Sequence, residues 1–465
     1  MQSKLFRPLK VGRIGTLSHR VVLAPLTRNR ALEPSLAPSP LSAQYYRQRA
    51  SPGGLLITEA TNISPESLAY PSTPGIWSPE QVEGWKKVTS AVHDKKGFLV
   101  CQLWHTGRVA HPDYVNHACN NDTKEKYQPC VSASDVPIAS RDGKPGKTIT
   151  YQGIKPHAAP RPLDSKVDIP RLCQDYKWAA QMAKDAGFDG VELHAAHGYL
   201  IDQFLNDGTN RRTDEYGGSV ENRCRLLIEV LDAIFEVWPR DKVGVRLSPH
   251  DAPNGGNTYY GCKDSNPDPV YHHAIRTLDE RNLAYLLLTE PRWVGKHDDS
   301  PESDPGFQMP LMNLQKFRGE YRGVMIGAGG FTPTSSYSAM VDDDDGSSSN
   351  GGYDALAFGR WFISNPDLPE RLESFHEHKS KGGGGLAPPP LNRYDRDTFY
   401  MNKPDGYIDY PSLEFEKFCQ TGSPTENDKI EYEGMVLGKY PLLEQESVGT
   451  SLKAAKVEDG PGSKL

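Results

Sequence analysis

"GVELHAAHGYL", residues 190–200, runs from a short apolar segment into a turn that carries two histidines and a tyrosine. Residues 190–194 read as a buried parallel strand. Successive strand residues alternate faces, so Glu192 and His194 point the same way. Seven more runs share this character: "VVLAP" (21–25), "GLLITEA" (54–60), "FLVCQLW" (98–104), "VGVRLS" (243–248), "LAYLLLTE" (283–290), "GVMIGAGG" (323–330) and "ALAFGR" (355–360). Most are rich in Val, Ile and Leu and are bounded by glycine or polar residues. Helical patterns separate them, clearest over 78–96, 168–187 and 218–238. The first of these opens on Ser78, with Glu80 and Gln81 placed to complete a cap. Strand and helix alternating eight times predict a closed (β/α)8 TIM barrel built as a single domain. An open doubly wound sheet is the rival topology, but no GxGxxG opens the first unit.

Three segments depart from the alternation. Residues 105–167 form a long excursion after the third strand, rich in Pro, His and polar residues. A loop of that size carries a function or small hairpins of its own, and here it is expected to cap the barrel. "DDDDGSSSNGG" (342–352) is acidic and then Gly/Ser-rich, and reads as a solvated surface loop. Beyond residue 412 the chain turns polar. The expected division is therefore a barrel over 1–412 and a C-terminal extension over 413–465.

The 465 residues carry a formal net charge of −7 with Lys and Arg dispersed, which argues against a nucleic-acid surface. The seven cysteines are scattered without CxxC spacing, so neither a disulfide framework nor a zinc ribbon is expected. The N-terminal "MQSKLFRPLKVG" lacks the apolar centre of a signal peptide, and no run approaches a membrane span. The last three residues, Ser463, Lys464 and Leu465, match the address read by the peroxisomal import receptor, so a peroxisomal location is expected, or a cytoplasmic one if the signal is not used. Nothing in the pattern selects an oligomeric state.

In this kind of barrel the active site forms at the C-terminal ends of the strands. His194 stands at the end of the fourth, with His197 and Tyr199 in the turn that follows. The third offers Gln102 and Trp104 on one face, and Thr27 lies just past the first. Arg246 shares a face of the fifth strand with Gly244. A guanidinium inside a barrel needs an anion, because burying it unpaired costs several kcal/mol. Its partner is either Glu192 or an anionic ligand. Glycines at 327–330 and 359, followed by Arg360, suit a phosphate after strands seven and eight. The histidines admit a zinc site if His105 joins them. They equally admit a carbonyl oxygen as guest, with Tyr199 as a proton source. The second reading suits an enone, which takes hydride at one carbon and a proton at the next.

Taken together, the motifs "RVVLAPLTRNRA", "ITEATNISPE", "CQLWHTGRV", "HAAHGYLIDQFLNDGTNRRTDEYGGSVENR", "VGVRLSP", "TEPR", "GAGGF", "AFGRWFISNPDLPERL" and "YDRDTFY…GYIDYP" resemble the old yellow enzymes, and within them the plant 12-oxophytodienoate reductases. The resemblance covers roughly residues 4–412. It implies FMN in a (β/α)8 barrel and NADPH as reductant. Pro25, Leu26 and Thr27 would line the flavin, Ala60 would touch its rings and Gln102 would bond its pyrimidine edge. Arg246 would face the negative charge of the reduced ring, and Gly329, Gly330, Gly359 and Arg360 would hold the phosphate. His194 and His197 would bind the substrate carbonyl, while Tyr199 would protonate the alpha carbon. Tyr70, Trp104, Arg292 and Tyr400 would shape the pocket. The activity implied is reduction of an α,β-unsaturated carbonyl compound, with 12-oxophytodienoate or a related oxylipin as a candidate substrate. No metal is implied. Two rivals remain at this point: a metal-dependent barrel hydrolase using His105, His194 and His197, and a flavin-binding protein without turnover. The acidic 342–352 insertion falls between the two halves of the phosphate site and is expected to bulge outward.

Overall fold

A computed structural model describes residues 3–118, 130–140, 143–249, 259–290, 315–340, 352–383 and 387–413. Eight parallel strands form its centre: β1 (Val21–Leu23), β2 (Leu55–Ile57), β3 (Phe98–Trp104), β4 (Gly190–His194), β5 (Val243–Leu247), β6 (Tyr285–Thr289), β7 (Met325–Ala328) and β8 (Ala355–Phe358). Each lies within a run recognised from the sequence. Neighbours pair in chain order, and β8 pairs with β1, which closes the ring into the expected TIM barrel.

The strands are apolar on both faces because both are covered. Val22, Leu55, Ile57, Val100, Leu287 and Ile326 belong to an inner cluster. The alternate residues, such as Val21, Leu56, Leu99, Val191, Val245 and Leu286, pack outward against the helices. Each such side chain contributes about 1.5–3 kcal/mol on burial. The covering helices include α1 (Pro40–Arg49), α2 (Pro79–His93), α3 (Asp168–Asp185), α4 (Val220–Phe235) and α5 (Pro267–Asp279). At the start of α2, Gln81 N–H donates to Ser78 Oγ (3.3 Å) and Ser78 N–H donates to Gln81 Oε1 (3.2 Å), the cap read from the sequence.

A hairpin of Leu9–Val11 against Gly15–Leu17 closes the bottom of the barrel. Val11, Ile14 and Leu17 join the inner cluster there, beside Phe98 and Ala284. Two strands of three residues are too short to show a period, and the sequence reading passed over them. The excursion after β3 does carry its own hairpin, Lys147–Thr150 against Gly153–Pro156. Arg108 ties its base to the loop after β5, donating to Val136 O and Tyr260 O, both at 2.8 Å. Residues 387–413 return to the barrel, while the extension from 414 and the 342–351 part of the insertion lie outside the described residues.

The barrel interior is polar in one layer. Glu192 stands opposite Gln102 on one side and Gly244 on the other, and Gly244 stands opposite Tyr285. A Cβ on Gly244 would lie 2.3 Å from Tyr285 Cζ, so the ring occupies the space a side chain would take. Gly244→Ala is expected to cost about 1–3 kcal/mol by overpacking, read from urea unfolding. Tyr285→Leu in the same chain should recover part of that loss. An unchanged midpoint in the single variant would contradict the packing.

Candidate active site

β4 and β5 set the site. Their register pairs His194 with Arg246, so imidazole and guanidinium share the inner layer above Glu192. His194 is buried, and its Nδ1 accepts the Ala196 N–H at 3.3 Å. That bond leaves the proton on Nε2, which makes Nε2 a donor. His197 follows in a turn with φ of +56°, a left-handed conformation that costs free energy in a residue with a side chain. Two bonds hold the turn: His197 N–H donates to Ser248 Oγ (2.8 Å), and Gly198 N–H donates to Asp202 Oδ2 (2.8 Å). The His197 Nε2 is fully buried and has no hydrogen-bond partner among the described residues. The two imidazole rings lie 5.4 Å apart. Burial, and then the Arg246 charge, push both pKa values well below the ordinary histidine value, so both rings are neutral near pH 7.

Tyr199 faces this pair, with its ring 5.1 Å from that of His194. Its hydroxyl meets the Tyr70 hydroxyl at 3.2 Å, and Tyr70 in turn meets the Tyr260 hydroxyl. Burial raises the pKa of all three phenols, so all are protonated at neutral pH. Trp104 backs them, edge-on to Tyr199 (4.8 Å, 89°) and stacked on Tyr70 (5.9 Å, 9°). Tyr400 is 65% exposed and lies close enough to Tyr199 for their charges to interact. Arg292 lies outside the described residues.

Arg246 is 9% exposed and donates from Nε to Thr289 Oγ1 at 3.1 Å. Glu192 attracts it but is not in ion-pair contact with it. The carboxylate instead accepts from Gln102 Nε2 at 2.6 Å. Of the two partners the sequence offers Arg246, the side chain is thus engaged elsewhere.

The remaining expected residues gather at the same end. Pro25 and Ala60 are buried just past β1 and β2, and Leu26 and Thr27 are half-buried beside them. Gly329 and Gly330 follow β7 with φ of +98° and +71°. A Cβ on Gly329 would lie 2.6 Å from the Glu290 carbonyl oxygen, and one on Gly359 would lie 3.2 Å from Leu26. Arg360 donates from Nη1 to the Tyr394 hydroxyl at 3.3 Å and sits 5.4 Å over that ring, so part of its donor capacity is taken. His105, which a zinc site would need, contacts Glu66 (3.5 Å) instead. Among the described residues no three His, Cys, Asp or Glu converge as metal ligands.

Sequence reasoning missed Tyr259 and Tyr260. The Tyr259 ring lies 4.6 Å from that of His197, and Tyr260 completes the phenol chain. They sit in an aperiodic loop whose place depends on Arg108 from another loop, and the adjacent pair of tyrosines was the one available signal. Ser248, Asp202 and Thr289 were missed too, because their work is to hold neighbours.

A model of the NADH:flavin oxidoreductase / NADH oxidase family matches residues 4–379. The chain belongs to that family. A rice (Oryza sativa subsp. japonica) protein named putative 12-oxophytodienoate reductase 11 is 41% identical over 414 residues, spanning 88% of this chain and 97% of its own. 12-Oxophytodienoate reductase 2 of Arabidopsis thaliana is 40% identical over 411 residues, spanning 88% of this chain and 96% of its own. Among solved structures, morphinone reductase in complex with tetrahydroNAD superposes with a TM-score of 0.69 at 40% identity, over 88% of this chain and 97% of that one. The protein is thus an oxidoreductase of the old yellow enzyme type, and the family implies FMN. The residues fit that group: glycine corners at two adjacent strand ends suit a phosphate, and a buried guanidinium without an ion pair among the described residues suits an anionic ring.

The neutral imidazoles have a measurable consequence. In 15N-histidine spectra, the His194 and His197 rings should gain their protons only well below the usual titration of histidine near 6.5. Either ring gaining its proton near pH 6.5 would contradict the site's electrostatics.

Proposed function

We propose that the protein is an FMN-dependent ene-reductase that oxidises NADPH and reduces the C=C bond of α,β-unsaturated carbonyl compounds. The observation that carries this reading is a neutral imidazole pair, one ring with a buried Nε2 unpartnered among the described residues, facing a half-buried phenol and Arg246. Bound FMN would supply the hydride, taken from NADPH and delivered to the beta carbon. His194 donates from Nε2 to the substrate carbonyl oxygen, and His197 supplies the second donor. Both are neutral before substrate arrives, so they polarise the oxygen without adding to the charge of Arg246. Tyr199 gives its hydroxyl proton to the alpha carbon. Trp104 and Tyr70 wall the substrate, and Arg292 and Tyr400 would help to shape the pocket. Pro25, Leu26, Thr27, Ala60 and Gln102 would line the ring system, Arg246 would face its anionic form, and Gly329, Gly330, Gly359 and Arg360 would hold the phosphate.

Two further parts of the proposal concern substrate and place. The names of the plant relatives support an oxylipin enone such as 12-oxophytodienoate. The terminal Ser463-Lys464-Leu465 supports import into peroxisomes. A fluorescent protein fused ahead of residue 1 should therefore mark peroxisomes, and deleting the tripeptide should release it to the cytosol. Cytosolic signal from the intact fusion would reject that location.

The decisive experiment is a spectrum. Purified protein should be yellow, anaerobic NADPH should bleach it, and cyclohexenone should restore the colour. A colourless protein that loses activity to chelators would favour a hydrolase, and a yellow one that no enone reoxidises would favour a binding protein without turnover. Tyr199→Phe should leave bleaching intact and slow recovery by roughly 10²–10⁴-fold, the range for a general acid. Equal slowing of both half-reactions would reject the proton-donor role. Arg246→Ala should weaken flavin retention or slow bleaching, and a variant unchanged in both would remove the charge-pairing argument.

A further inference from the structure

Gln102 and Glu192 lie side by side inside the barrel on paired strands, both buried. Gln102 Nε2 donates to Glu192 Oε1 at 2.6 Å. The bond is chemically one-sided. An ionised carboxylate only accepts, whereas a carboxamide has a donating and an accepting end. Facing a carboxylate, the amide must turn its NH2 inward. Its oxygen Oε1 makes no hydrogen bond to the described residues and is not among the buried orphan atoms. Gln102 therefore presents a carbonyl oxygen, with one N–H of its NH2 committed to Glu192.

Glu192 is held in turn. Gly244 leaves room for the Tyr285 ring, whose hydroxyl lies beside the carboxylate. Burial pushes the Glu192 pKa up, and the Arg246 charge, the Gln102 amide and the Tyr285 hydroxyl push it back. Nothing in the proposed reaction uses Glu192, yet a fully buried carboxylate is costly to keep.

We infer that Glu192 is a positioning residue that fixes the orientation of the Gln102 amide, so that its carbonyl oxygen is the atom that meets the N–H on the pyrimidine edge of the bound flavin. The complementary group on that edge is the N3–H, which lies between two carbonyls. An amide free to flip would match a carbonyl as readily as the N–H, and the edge would lose its register. The inference rests on the flavin reading of the site and adds a determinant of cofactor recognition to it.

The test uses the full chain, stripped of cofactor and reloaded with FMN or with N3-methyl-FMN, which lacks the N3 proton. Binding is read by quenching of flavin fluorescence. Wild type should prefer FMN on the order of tenfold to a hundredfold, the effect of leaving a buried acceptor unpaired. Gln102→Leu should remove the part of that preference due to the hydrogen bond and leave the part due to the bulk of the methyl group. Glu192→Gln should remove most of the same part and have no further effect in the Gln102→Leu background. A merely structural role would add its effect in both backgrounds.

Glu192→Asp provides a second variant. It keeps the charge but withdraws it by one methylene, so it should weaken the preference with little change in the flavin midpoint potential. Glu192→Gln should move that potential to more positive values, because a negative charge near the reduced ring is gone. A wild type that binds both flavins equally, or Glu192 variants that keep the wild-type preference, would overturn the inference while leaving the flavin reading intact. Failure of wild type to bind FMN at all would overturn the flavin reading itself.

Discussion

Arg246 carries a permanent charge on the inner face of β5, at the level of His194, with its Nε given to Thr289 and no ion pair to a carboxylate among the described residues. Such a guanidinium is tolerated where an anion completes it, and it reshapes its surroundings until then. An imidazolium beside it would add a second unpaired charge to the same buried space. The fold avoids this by holding His194 and His197 neutral, through burial and through the guanidinium itself. Neutral rings still donate, and the Ala196 amide decides which nitrogen of His194 does so. Glu192 sits one layer down and keeps its bond to Gln102, so the field of Arg246 is softened from below but left open toward the barrel mouth.

That constraint was partly legible in the chain. The eight strands could be read because each is a short run buried on both faces, and strand parity put His194 and Arg246 inside at a catalytic strand end. The register that sets them side by side could not be read, since it comes from closure of the whole ring. The same holds for Gln102 and Glu192. Each could be placed on an inner face, but only the pairing of β3 with β4 shows that they bond. Tyr260 was hard to place for another reason: its backbone is tied to Arg108, far away in sequence, and the adjacent tyrosine pair does not say where the loop lies. The floor hairpin escaped because three residues per strand carry too little pattern.

A second group of buried arginines shows how the turn after β1 is kept in place. Arg28 donates to the carbonyls of Phe399 (3.1 Å) and Gly406 (2.7 Å), and Arg30 to those of Lys403 (3.0 Å) and Phe399 (2.8 Å). Arg49 adds Phe362 O at 3.0 Å. Their charges lie over Tyr45 and Tyr407, which stack at 4.2 Å. Hydrogen bonds with one charged partner contribute about 1.5–3 kcal/mol each. The end of the barrel chain is thereby fastened to its beginning, next to Leu26 and Thr27. Glu59 accepts the Arg28 N–H at 3.0 Å, yet burial outweighs the two arginines and lifts its pKa to about 7.

The phenol chain sets the terms on which a proton can leave. Desolvation disfavours a phenolate at Tyr199, and the hydroxyl it touches belongs to Tyr70, half-buried and also reluctant to ionise. A donor with a raised pKa releases its proton only to a strong base, and a carbanion-like alpha carbon is one. Trp104 packs on both Tyr199 and Tyr70 and holds the two phenols together. On the proposed mechanism, the tyrosinate left behind lies within the field of Arg246, which already acts on Tyr199 across the site. The guanidinium that helps burial keep the histidines neutral is then the same group whose field favours a tyrosinate at Tyr199, so removing its charge should be felt at both the oxygen-binding and the proton-giving sides of the site.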